Sequence, residues 1–214
     1  MAPIINVAEE DFERASKLLE LANVDYTLLN TSKSNSTEYF EVPSLKGIKI
    51  AKQRTLLGKS WYESHEALQS QGQRMITLPE FAEVLKYTQK ELPEVYEDIT
   101  AVRNPWRVEW IDAFFEERED GMYILTGNKT RAEKLKPCLM EDRTPGISLD
   151  SWIENPTNQG LPKRNAKEGD LYFWAPKSGA VAGFVAIGVR ADLDCVGDPT
   201  IRNSILGVRA VKTA

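Results

Sequence analysis

Histidine and cysteine are nearly missing from this chain. Among 214 residues there is one histidine, His65, and there are two cysteines, Cys138 and Cys195. A structural zinc site needs about four such ligands, so none is expected. The cysteines have no CxxC spacing and sit in unlike contexts, which excludes a disulfide framework. Basic excess is missing too. The net charge is -5 and the pI about 5.2, which argues against nucleic acid as a partner, because binding phosphates needs a basic face. No run approaches the roughly 20 apolar residues of a membrane span. The first residues, MAPIINVAEEDFERA, are acidic early and lack a signal-peptide plan. Cytoplasmic synthesis is therefore expected, with display on a virion or a surface only by another route.

What remains has the composition of a globular chain, long enough for one large domain or two small ones. Asn6 and Glu9 form a capping box ahead of an amphipathic helix expected over 7–21. Residues 24–29 read as β, 31–37 as a polar loop, and 39–42 and 47–51 as short strands. Ser60 and Glu63 form a second capping box, opening a helix over about 61–71 with Trp61, His65 and Leu68 on one face and Gly72 at its end. Thr77 and Glu80 form a third, with Pro79 in the first turn and Phe81, Val84, Leu85 and Thr88 as the buried stripe. That helix should stop before Pro93.

From Arg107 the pattern turns to β. Strands are expected over 107–117 and 122–126, joined by an acidic tip at Asp120-Gly121. Residues 129–136 read as short and charged. The Pro-, Gly- and Asn-rich stretch 137–169 reads as loop over the domain. Three closing β runs are expected at 171–174, 184–189 and 206–211, with a polar stretch, 192–203, before the last. One α+β domain is the economical interpretation.

Two stretches carry a resemblance. Residues 60–68 (SWYESHEAL) with 72–81 (GQRMITLPEF), and the closing 203–211 (NSILGVRAV), resemble the C-type-lectin-like fold in the branch that includes formylglycine-generating enzymes. Within it, 181–186, 190–195, Asp198-Pro199 and 206–211 look like the variable region of proteins diversified by retroelements. The resemblance implies two helices packed on small antiparallel sheets, paired terminal strands and long irregular ligand-bearing loops. Residues 59–214 would form that domain, with a variable region over about 171–212 and residues 1–58 as an N-terminal extension integrated with it. It further implies a non-enzymatic receptor or adhesion protein whose ligand is a protein or other surface molecule, with no cofactor. The sequence departs from the enzymes in having a lone cysteine, Cys195, near its end. It departs from calcium-dependent lectins in lacking their sugar motif and a WND triplet.

Individual residues are weighed against plainer roles. His65 between Trp61 and Leu68 fits helix packing better than catalysis, since no nucleophile motif accompanies it. The acidic run Glu116, Glu117, Glu119 and Asp120 fits a solvated turn. Trp106, Trp110, Trp152 and Trp174 fit core or groove, with Trp174 also a candidate for stacking on a ligand. If Phe184 and Ala186 face inward, Val185 and Ile187 face outward; if Leu193 and Cys195 face inward, Asp192, Asp194 and Val196 face outward. The candidate binding face is therefore Val185, Ile187, Asp192, Asp194, Val196, Gly197, Thr200, Ile201 and Asn203, with Trp174 at its rim. The alternative is that these residues pack under 137–169. No catalytic residue and no metal ligand is assigned.

Overall fold

The computed structural model describes residues 38–214 and, before them, the strands Ile4–Val7 (β1) and Thr27–Asn30 (β2). The chain forms two compact units, Met1–Thr37 and Glu38–Ala214. In the first, β1 and β2 pair in parallel. The helix expected over 7–21 and the loop over 31–37 lie outside the described residues.

The second unit is α+β. Its capped helices form where the capping boxes stand. Helix α1 spans Trp61–Ser70; the Ser60 hydroxyl accepts the Glu63 N–H, and the Glu63 carboxylate accepts the Ser60 N–H. Gly72 follows it with φ of 67°, a left-handed conformation that ends the helix at little steric cost. Helix α2 spans Leu78–Glu91, and the backbone N–H and hydroxyl of Thr77 both donate to the Glu80 carboxylate. It stops before Pro93 as expected, and a further helix, Pro93–Thr100 (α3), starts on that proline. Residues 137–169 are less irregular than their composition suggests: they hold an edge strand, Arg143–Ile147 (β9), and a short helix, Leu149–Glu154 (α4), capped by the Ser148 hydroxyl.

A small sheet joins Tyr39–Phe40 (β3), Ile48–Ala51 (β4), Arg74–Met75 (β5) and Ala210–Thr213 (β14), in the order β3-β4-β14-β5. The large sheet is built from Arg107–Arg118 (β6), Gly121–Thr126 (β7), Arg131–Lys134 (β8), Leu171–Trp174 (β10), Val181–Ala186 (β11) and Ala191–Gly197 (β12), together with β9. Its order is β8-β7-β6-β11-β12-β10-β9, with Leu206–Val208 (β13) paired to β6. The polar stretch 192–203 thus begins inside a strand, as the alternation through 192–196 requires.

Each face of the large sheet has its own apolar cluster. On the inner face Phe173, Phe184, Leu193 and Cys195 meet Phe81, Ile99 and Trp152 of the helices. The Phe81 and Phe184 rings stand 5.5 Å apart. Burying each such side chain contributes roughly 1.5–3 kcal/mol. On the outer face Val108, Trp110, Val181 and Val185 pack with Trp61 of α1, and with Leu206 and Ile205 at the β6 edge. Chain ties fix Trp61 in place. The Trp61 N–H donates to the Pro199 carbonyl at 3.1 Å, and its indole N–H to the Ile111 carbonyl at 2.9 Å.

A buried ion cluster fastens the closing strands. Glu109, fully buried, accepts from Arg209 at 2.8 Å and from Arg107 at 2.7 Å, and both arginines also reach Asp98. The two arginines hold the Glu109 carboxyl below the usual range despite its burial. Arg54 caps the cluster and donates to the Val108 and Ile205 carbonyls. Burial, with the Arg107 charge beside it, brings its pKa down to about 10.

Candidate functional site

Strand register sorts the expected binding residues into rows. Across the outer face, one row reads Val108, Val185, Asp192, Tyr172 and the next Trp110, Gly183, Asp194, Trp174. In-register neighbours share a face, so each row runs from an apolar half on β6 and β11 to an aromatic–carboxylate half on β12 and β10. The apolar half is roofed. The other half is an open strip.

The directions expected for Val185 and Ile187 hold, but the exposure does not. Both point away from Phe184, yet they are only 9% and 8% exposed, because they pack in the second apolar cluster with Trp61, Leu206 and Val208. They are core residues of the second cluster rather than contact residues. Asp192 also faces outward and is 6% exposed. Arg190 lies over it, with Nε 2.8 Å from its Oδ1, and stacks on the Tyr172 ring with the guanidinium carbon 4.5 Å from the centroid.

Gly197 is held by packing. A Cβ there would meet the Trp110 ring at 3.0 Å and the Val181 carbonyl at 3.1 Å. Gly183 likewise leaves room for the same indole, which lies across β11. Gly197 is therefore a seat for Trp110, not a free contact position.

The other candidates line the surface. Trp174 and Asp194 are half-buried, Val196 is 37% and Ile201 48% exposed, and Thr200 and Asn203 are exposed. The loop that carries the last three is braced from below. Asp198 accepts from the Thr200 N–H and hydroxyl, Asn203 from the Ile205 N–H, and Arg202 makes a bidentate pair with Glu63 at the start of α1. Asp194 uses one oxygen to accept the Val196 N–H at 2.7 Å, and its carboxyl is pushed up by burial and by the nearby Asp192 charge. Tyr172 and Arg190 belong to this strip and were not among the expected residues. The signal was present: alternation through LYFW pairs Tyr172 with Trp174, and Arg190 stands two residues from Asp192.

The groups that most often do covalent chemistry are sealed in. His65 Nε2 is 3.3 Å from Asp112 Oδ1, and the ring lies edge-on to Trp61; His65 and Asp112 are 1% and 2% exposed. The pair joins α1 to β6 and presents no surface to a substrate. Cys138 and Cys195 are both free and buried, and burial raises the Cys195 thiol well above its ordinary value. Among the described residues no three His, Cys, Asp or Glu side chains gather as a metal-holding group, and Asp192, Asp194 and Asp198 do not converge. No described helix is long and apolar enough to cross a membrane. Trp106, expected in core or groove, is 53% exposed, whereas Trp152 is fully buried.

No protein-family model and no curated protein matches the chain.

Proposed function

We propose that this chain is a non-enzymatic ligand-binding protein of C-type-lectin-like fold, a variable protein of a diversity-generating retroelement. Its contact surface is the open strip of the large sheet, Trp174, Asp194 and Val196, continued by Thr200, Ile201 and Asn203. What chiefly supports this is the separation of surface from framework along the same few residues. Leu193, Cys195, Leu206 and Val208 are buried, while Val196, Thr200, Ile201 and Asn203 stand out from them. Such side chains can be exchanged without disturbing the core. The partial exposure of Val196 and Ile201 among polar neighbours suits a contact patch, where apolar area supplies affinity and polar groups set specificity.

Further support for the lectin-like fold comes from the order of two capped helices before the large sheet. The pairing of Ala210–Thr213 with Ile48–Ala51 near the start of the second unit fits it too. An oxidase of the formylglycine-generating type would need a reactive thiol, and the enclosure of Cys195 disfavours that rival. Thiol labelling of the native protein tests it, with negligible modification of Cys195 expected.

The retroelement relation is tested in the surrounding genome. An imperfect repeat of the segment coding for 171–212, differing at adenines and lying beside a reverse transcriptase gene, is the expected finding. Its absence would leave an undiversified adhesive protein.

A further inference from the structure

The open strip carries the same small device twice. In the parallel ladder of β10 and β12, Tyr172 stands beside Asp192 and Trp174 beside Asp194, each an aromatic ring next to a carboxylate on one face. The first pair is filled from within the chain. Arg190 places its guanidinium over the Tyr172 ring and its Nε on Asp192. The second pair lies two residues along, roughly 6.6 Å away. There, Asp194 takes only the Val196 N–H, and among the described residues no base is paired with it.

The surface next to the filled pair has a sign of its own. Where β10 and β12 begin, on the Tyr172–Arg190 side of the strip, lies a cleft of about 790 Å3 that Trp174 and Asp194 do not line. Asp150, Glu168 and Asp170 line it, and among the described residues its one base is Arg190, already held by Asp192. Exposed apolar walls, Val189 and Val102, stand beside those carboxylates. A cleft of that size, acidic and partly apolar, complements a basic peptide segment rather than a lone small cation.

We propose that the Trp174–Asp194 pair is a socket for the guanidinium of an arginine presented by a partner protein. This rests on the strip being the contact surface. An indole face attracts a cation more strongly than a phenol does, and a half-desolvated carboxylate is a better partner for guanidinium than an exposed one. The incoming charge also offsets the cost of keeping Asp194 half-buried beside Asp192.

The test titrates the whole chain with a blocked Gly-Leu-Arg-Leu-Gly peptide and with its neutral citrulline counterpart. The readout is the indole N–H resonance of Trp174 in isotope-labelled protein. The arginine peptide is expected to shift that resonance and the citrulline peptide to bind about tenfold more weakly. Trp174→Leu and Asp194→Asn should each weaken the arginine peptide about tenfold without lowering the unfolding temperature. Equal binding of the two peptides, no binding at millimolar concentration, or binding indifferent to both substitutions overturns the socket. So does a protein that sediments as a dimer and dissociates on Trp174→Leu, because a second copy then sits there. Failure of the contact-surface proposal looks different: a separate variant with Val196, Thr200, Ile201 and Asn203 exchanged together would unfold, while the parent chain still bound the arginine peptide.

Discussion

The two halves of the outer sheet face carry the same alternation and meet opposite fates. Over β6 and β11, Val108, Val185 and Trp110 are buried in one apolar cluster with Trp61 of α1 and Leu206 of β13. Over β12 and β10, the in-register neighbours of those residues are carboxylates and aromatic rings: Asp194, Tyr172 and Trp174 stay half-exposed, and Asp192 is covered only by Arg190. Strand periodicity fixes which way a side chain points; what lies above it comes from residues far along the chain. Trp110 marks the boundary, its ring lying across Gly183 and reaching Gly197.

The sharpest way to break this comparison is one substitution made on both halves. Val185→Asp puts an unpaired charge into the roofed cluster and should cost about 4 kcal/mol or more, enough to lose the fold. Val196→Asp, on the open strip, should stay within about 0.5 kcal/mol. Denaturant unfolding of the pair decides the matter, and equal losses would mean that the strip is roofed too. Next in size is Glu109→Ala. Arg209 follows directly on β13 and clamps Glu109, so the buried cluster fastens β13 along β6. Removing the carboxylate leaves two buried arginines with Asp98 alone between them, a loss of about 3–5 kcal/mol. A loss under about 1 kcal/mol would show that β13 is held by its ladder and apolar contacts without help from the ion cluster.

A smaller effect is expected at the boundary. Gly197→Ala forces a methyl group against both the Trp110 ring and a backbone oxygen that cannot move aside. A cost of about 1–3 kcal/mol is expected, with a changed near-ultraviolet signal from Trp110. An alanine tolerated at no cost would return position 197 to the exchangeable surface.

Much of the frame was legible because its signals are local. Ser60/Glu63 and Thr77/Glu80 announce two helices by side chains three residues apart, and Asp120-Gly121 announces the hairpin it makes. The elements in 137–169 were hidden for physical reasons. Six-residue α4 is too short to show a helical period. Strand β9 contains Pro145, which reads as a breaker but is tolerated at a sheet edge. Strand β8, with every residue exposed, is the charged edge that hydrophobic patterning overlooks. The candidate site was half legible. Alternation oriented Asp194 and Val196 correctly, whereas the burial of Val185 depends on Trp61 and Leu206, more than a hundred and some twenty residues away, and no local pattern encodes that contact.

The smallest expected effect concerns Asp194, and it separates a group kept for stability from one kept for contact. Its carboxyl is raised by burial, with Asp192 adding to the shift, so the folded chain holds that proton more tightly than the unfolded chain does. The sign follows from linkage: the favourable contribution is complete below the unfolded value of about 3.9 and is lost as pH rises through the folded value. At neutral pH the ionised Asp194 therefore costs stability. Asp194→Asn keeps an oxygen to accept the Val196 N–H and removes the charge. The variant should match or slightly exceed the parent at pH 7, and that margin should shrink as the solution is acidified through the folded value. Unfolding midpoints of the two proteins across that range provide the measurement. A variant clearly weaker than the parent at pH 7 would make Asp194 a structural anion, and the open strip would then be part of the framework rather than a surface carried on it.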